Sequence, residues 1–209
     1  MNTYVTEEEQ IEAIKKWWNR YGNGIMTVLI IILLAYSGWK YWAGHENQVK
    51  VNASASYEQM MIALSNNDDT GVKAQANTLL TDYKKTVYAD VANLVLAKLA
   101  VTNKDYQAAQ VSLQKVIETG HVNALKQIAR LRLARLQQGN KDYSQALQSL
   151  ATVDDNAYLA LVFEQRGDIY SSQGDSQQAK ENYAKALKQS PDFALKNPTL
   201  MMKLKQVTG

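Results

Sequence analysis

From Tyr21 to Trp39 the chain runs nineteen residues without a charge, and no other feature of its 209 residues restricts the fold as strongly. Coiled as a helix, that stretch reaches about 28 Å at about 1.5 Å per residue, close to the hydrocarbon thickness of a bilayer. Its eight Ile, Leu and Val residues lie between Ile25 and Leu34. They favour insertion by roughly 2.5 to 5 kcal/mol before the polar ends are counted. Trp17, Trp18 and Tyr21 precede the run and Tyr36, Trp39, Tyr41 and Trp42 follow it, as suits rings seated at headgroup level. The pattern predicts one transmembrane helix over residues 21–42. The competing reading is a cleaved secretory signal ending at Ala53-Ser54-Ala55. That site stands too far beyond the apolar run, past four bulky aromatics, whereas a signal peptidase site follows its apolar run at once. Lys15, Lys16 and Arg20 before the span outnumber Lys40 and Lys50 after it, which favours a cytoplasmic N-terminus and a C-terminal part across the membrane.

Residues 1–20 read as a short cytosolic tail. Thr6 and Glu9 form a capping box, and Glu7 and Glu8 open a helix that Lys15 and Lys16 close. Ile11, Ile14 and Trp18 share one face, which suits either the headgroup surface or a docked partner. Gly22-Asn23-Gly24 is expected to break this helix from the span, and residues 43–52 to link the span to the C-terminal part.

Residues 53–209 contain similar units. Asn103-Lys104-Asp105-Tyr106, Asn140-Lys141-Asp142-Tyr143 and Gly174-Asp175 each end one helical stretch and begin another, and Ala109, Ala146 and Ala179 follow at corresponding positions. This interval approximates the 34-residue period of tetratricopeptide repeats, in which pairs of antiparallel helices stack. Gly167, Tyr170, Ala179, Tyr183, Ala186 and Pro191 match that pattern's offsets in the last unit. Ala134, Ala146 and Leu150 do so in the middle unit, and Ala97, Ala100, Ala109 and Leu113 in the first. An irregular pair is predicted upstream around Asn66-Asn67-Asp68-Asp69. A final helix from Pro198 would cover the open end with Leu200, Met201 and Leu204. The expected fold is therefore all-α: a single transmembrane helix followed by an α-solenoid of antiparallel helix pairs.

The residues offer little chemistry. Cysteine is absent, which removes disulfides and thiolate chemistry, and only His45 and His121 can act as imidazoles. His121 reads as a surface loop residue. Asp68-Asp69 and Asp154-Asp155 lack the spaced ligands of a calcium loop. The balance of 23 basic and 20 acidic residues does not point to nucleic acid, and the basic run Lys126, Arg130, Arg132 and Arg135 has no aromatic platform beside it. No catalytic role, metal or cofactor is expected. A binding surface remains. Tetratricopeptide offsets place Val91, Leu94, Lys98 and Val101, then Ile128, Leu131 and Arg135, then Leu161, Glu164 and Asp168 along a groove suited to an extended polypeptide. The aliphatic members Val91, Leu94, Ile128 and Leu131 fit packing between helices equally well.

Taken together, Glu7-Glu8-Glu9-Gln10-Ile11-Glu12-Ala13-Ile14-Lys15, Gly38-Trp39-Lys40-Tyr41-Trp42, Leu131-Arg132-Leu133-Ala134-Arg135, Arg166-Gly167-Asp168 and Gly174-Asp175 resemble the YfgM family over nearly the whole chain. That resemblance implies an ancillary subunit of the bacterial SecYEG translocon, anchored in the inner membrane with a periplasmic repeat domain. It further implies association with a membrane-anchored periplasmic chaperone of the prolyl-isomerase type and hand-over of secreted client polypeptides. A role of the cytosolic tail in restraining a stress-response regulator is implied as well, one that varies with the organism. A solenoid of this kind also suits an envelope scaffold that organises division or cell-wall enzymes.

Overall fold

The structure is a computed structural model that describes residues 7–189 and 197–208, leaving aside the side chains of residues 7–9 and 42–45. The chain forms two compact units, Met1–Val51 and Asn52–Gly209. Among the described residues the regular elements are α1 (Glu7–Ser65), α2 (Asp69–Thr81), α3 (Val87–Thr102), α4 (Tyr106–Thr119), α5 (Asn123–Gly139), α6 (Tyr143–Ala151), α7 (Leu159–Ser172), α8 (Ser176–Gln189) and α9 (Pro198–Gln206). A 3₁₀ turn, Asn156–Tyr158, precedes α7.

Helix α1 passes through Gly22-Asn23-Gly24 without interruption, so the expected break is not there. A glycine costs a helix interior only about 1 kcal/mol, and propagation from apolar neighbours on both sides outweighs it. Gly22 is buried beneath Trp18, and a Cβ at that position would lie 3.0 Å from the indole. The Thr27 hydroxyl donates to the Asn23 carbonyl at 2.8 Å. Residues 43–52, expected as a linker, are helical too. Thr6, and with it the expected capping box, lies outside the described residues, as does Pro191. Within α1 lies the one stretch among the described residues long and apolar enough to cross a membrane. Its apolar side chains face outward, with Leu33 62% and Leu34 68% exposed.

The second unit is built from one device used four times. Asn67, Lys104, Lys141 and Gly174 hold positive φ, at 56°, 61°, 65° and 81°. The amide after each donates five residues back: Asp68 to Ala63, Asp105 to Ala100, Asp142 to Gln137 and Asp175 to Tyr170. This is the Schellman ending of a helix. The donor aspartate then opens the next helix, where the Asp68, Asp105 and Asp175 carboxylates accept from the amides of Gly71, Ala108 and Gln178 at 2.9 to 3.0 Å. The irregular first pair, the end of α1 with α2, uses the same turn as the others.

Each pair leaves an apolar face that only its neighbour covers. The end of α1, with Ala53 and Met60, packs with Val72, Ala76 and Leu79 of α2 and with Ala92, Val95 and Leu99 of α3. Leu113, Val116, Ala129 and Leu133 continue the interior between α3, α4 and α5. Leu131, Ala146, Leu150, Val162 and Ile169 continue it from α5 to α7. Helix α5 also meets both α3 and α7 directly. Burying one such Leu or Ile contributes about 1.5 to 3 kcal/mol. The last pair closes on Ala179, Tyr183 and Ala186, with Leu200 of α9 fully buried against them. Of the residues expected to cover this end, Leu200 and Leu204 do so, while Met201 is 51% exposed because it faces away from α8.

Two glycines support this architecture for different reasons. A Cβ on Gly167 would run into the Tyr183 ring, so Gly167→Ala is expected to cost about 1 to 3 kcal/mol through overpacking. A Cβ on Gly174 meets nothing, but φ there is +81°, so Gly174→Ala is expected to cost about 1 kcal/mol from backbone conformation alone. Thermal unfolding of the full chain in detergent measures both; equal stability of Gly167→Ala and wild type would contradict the close-packing account.

Candidate functional site

Positions equivalent through the stack carry a buried polar residue. Asp90, Gln127 and Glu164 stand 37 residues apart on α3, α5 and α7 and are 4%, 0% and 8% exposed. A buried polar group without a partner costs about 1 to 3 kcal/mol, so each must be met. Each is met by the segment that leads into the next repeat. The Asp90 carboxylate accepts from the His121 amide at 2.6 Å and lies 3.1 Å from its Nδ1. Gln127 donates to the Asp154 carboxylate and accepts from the Asp154 amide at 3.3 Å and from Arg130 at 3.2 Å. Arg130 also pairs with Asp154 at 3.5 Å. Glu164 accepts from Asn197 Nδ2 and Lys203 Nζ, both at 2.8 Å. His121 is thus more than a surface loop residue, since it ties two repeats together. The signal was present in the sequence as a polar residue recurring in one register.

These contacts sort the expected groove residues. Glu164 faces the stack and α9, so it offers no free surface. Asp168 accepts from the Tyr183 hydroxyl at 2.9 Å and from Lys203 Nζ at 2.8 Å. Leu94 and Leu131, each 6% exposed, belong to the interior. Their groove assignment is corrected, because Leu94 packs with Leu113 and Ala129, and Leu131 with Ala146 and Val162, between neighbouring helices. Val91, Ile128 and Leu161 are half-buried, and Val91 and Leu161 pack against interior clusters. Lys98, Val101 and Arg135 are exposed and come together.

They line a cleft of about 520 Å³ between α3, α4 and α5. Tyr106, Leu113 and Leu136 give it an apolar floor, Arg132 adds a third cation, and Thr102, Gly139 and Asn140 complete the wall. Among the described residues no carboxylate lies within ion-pair distance of Lys98, Arg132 or Arg135. Arg135 meets the Gln165 amide oxygen at 3.2 Å, in the orientation in which that amide also donates to the Leu131 carbonyl. Tyr106, read as part of a turn, and Arg132, read as part of a basic helix, were not placed in the groove because the tetratricopeptide offsets followed only the first helix of each pair and one face of it. No group of three or more His, Asp or Glu side chains converges among the described residues in a way that could hold a metal.

The Lys203 ammonium between Glu164 and Asp168 titrates above its ordinary 10.5, because hydrogen bonds and charge from the two carboxylates outweigh the opposing effect of burial. Burial, and then the Asp168 charge, also push the Tyr183 phenol well above its ordinary 10.0. A raised folded pKa gives stability that is complete below the unfolded value and lost as pH rises past it. Melting of the full chain in detergent is therefore expected to fall above about pH 10, and less steeply in Tyr183→Phe. Parallel alkaline profiles would remove Tyr183 from this account.

Proteins of known kind resemble this chain in sequence. A family profile described as a tetratricopeptide repeat-like domain matches residues 15–209. A protein of Aggregatibacter actinomycetemcomitans named ancillary SecYEG translocon subunit is 32% identical over 185 residues, 87% of this chain and 89% of its own length. One of the same name from Escherichia coli is 30% identical over 205 residues, 98% of this chain and 97% of its own. Another, from Haemophilus influenzae, is 29% identical over 182 residues, 87% of this chain and 89% of its own. Both the apolar stretch of α1 and the helix pairs fall within residues 15–209 of the family match, and the chain belongs to the YfgM family of tetratricopeptide-like proteins.

Proposed function

We propose that this chain is an ancillary subunit of the SecYEG translocon, a membrane-anchored interaction protein that performs no reaction of its own. The observation that carries the reading is the near full-length match to relatives of that name, with the apolar helix and the repeat unit both inside the matched range. In this reading the stretch within α1 crosses the inner membrane with its N-terminus in the cytoplasm, as the excess of Lys15, Lys16 and Arg20 favours. The repeat unit then lies in the periplasm beside the translocon exit. There it raises the local concentration of a membrane-anchored chaperone of the prolyl-isomerase type near emerging secreted chains, by tethering alone. Lys98, Val101 and Arg135 are the surface members of the expected groove and the first residues to examine. Restraint of a stress-response regulator by residues 1–20 belongs to the same proposal.

The absence of cysteine makes single-cysteine reporters clean. Asn140→Cys is expected to react with a membrane-impermeant maleimide in intact spheroplasts and Glu12→Cys only after lysis; the reverse would invert the topology. Photocrosslinking in cells from Leu33 is expected to capture translocon subunits, and from Val101 a periplasmic chaperone or a secreted chain. Division or wall-synthesis proteins at both positions would replace the translocon with an envelope scaffold. Leu94→Glu and Leu131→Glu are not suitable probes, since they bury a charge in the stack.

A further inference from the structure

Most cations of this repeat unit carry no carboxylate partner among the described residues, and what distinguishes three of them is that they converge. Arg130 and Lys203 are engaged by carboxylates of the chain itself. Lys98, Arg132 and Arg135 converge on one cleft and, among the described residues, have none. Lys98 and Arg135 occupy the same position of successive repeats, 37 residues apart, so stacking α3 on α5 brings like charges to one edge. Three cations over a low-dielectric floor focus a positive potential into the cleft, and the guanidinium forks of Arg132 and Arg135 match a carboxylate in shape.

The floor adds a second requirement. Val101 and Tyr106 are 43% and 44% exposed there, apolar area that an occupant can cover. The wall has room at one point, since a Cβ built on Gly139 meets nothing within 4 Å. About 520 Å³ is the scale of a cleft that takes a short segment and not a folded domain.

We infer that the cleft between α3, α4 and α5 binds an acidic segment of a partner polypeptide, with a carboxylate against Lys98, Arg132 and Arg135 and a neighbouring apolar side chain over Val101 and Tyr106. A nucleic acid fits less well, because Tyr106 is the one aromatic ring in the lining and stacking needs a series of them. A bilayer surface is flat on this scale and meets rims, leaving the apolar floor uncovered. The inference deepens the proposed interaction role and rests on the reading that the repeat unit engages polypeptides.

The test uses the full chain in nanodiscs of neutral lipid and a fluorescein-labelled peptide of alternating Glu and Leu. Saturable binding is expected, with a loss of about tenfold, or about 1.4 kcal/mol, when Gln replaces Glu in the peptide. The double variant Lys98→Glu with Arg132→Glu is expected to lose a similar factor. Gly139→Phe fills the open wall without altering charge, and is expected to weaken binding as much while melting at the wild-type temperature. Equal binding of the Gln peptide, or indifference to Gly139→Phe, would overturn the inference. So would self-association abolished by Gly139→Phe, which would put a second copy in the cleft. Cation-dependent capture of phosphatidylglycerol vesicles without peptide binding would overturn it as well. Absent peptide binding with translocon crosslinks from Leu33 intact would defeat this inference and leave the translocon reading standing. Peptide binding with those crosslinks lost would do the reverse.

Discussion

A carboxylate or amide buried at one register of α3, α5 and α7 has to be met by a partner from the neighbouring repeat, and the stack is arranged so that it is. Apolar contacts alone leave adjacent helix pairs free to slide or rotate, since the hydrophobic effect has no direction. Asp90, Gln127 and Glu164 add direction. Each is satisfied only when the following repeat presents its leading segment at one height and angle. A misplaced repeat leaves a buried polar group unpaired, which costs more than the bond itself contributes. Three different pairs of partners serve this purpose, so the repeats share a geometry without sharing residues.

The same logic ends the solenoid. A further repeat would have stacked on α7 and α8; α9 takes its place with Leu200 in the apolar seam and Lys203 between Glu164 and Asp168. The final face is thereby closed in both its apolar and its charged parts. The cationic edge at α3 and α5 is treated differently, because no described element of the repeat unit supplies it with a carboxylate. The convergence of three cations over one apolar floor is what singles out the cleft. In α1 the balance is inverted, with Ile31 and Leu34 outward and 60% and 68% exposed. Such a surface suits a solvent of lipid chains, where backbone groups must be satisfied within the helix itself.

Much of this was legible in the residues. The uncharged run with its aromatic flanks, the Asn-Lys-Asp turns and the small residues Gly167, Ala179 and Ala186 are local signals. They act through hydrophobicity, αL geometry and side-chain size, which a sequence displays directly. The irregular first pair was also visible at Asn67-Asp68, although its kinship with the later turns emerges only from their shared positive φ. Gly22 and Gly24 misled, because glycine weakens a helix without ending it when both flanks propagate.

Local residues set the helix pairs of the repeat unit, the turns between them and the one stretch too apolar for water, though not the continuity of α1 through Gly22 and Gly24. Those properties depend on neighbours within a few positions. Which face of each helix is spent on its neighbours is a matter of packing in three dimensions. It moved Leu94 and Leu131 into the interior, turned Glu164 and His121 into ties between repeats, and joined Arg132 and Tyr106 to Lys98, Val101 and Arg135 around one cleft. The reason is that a helix in a stack is contacted from several directions at once, and the relative rotation of helices tens of residues apart is set by packing that no local pattern encodes.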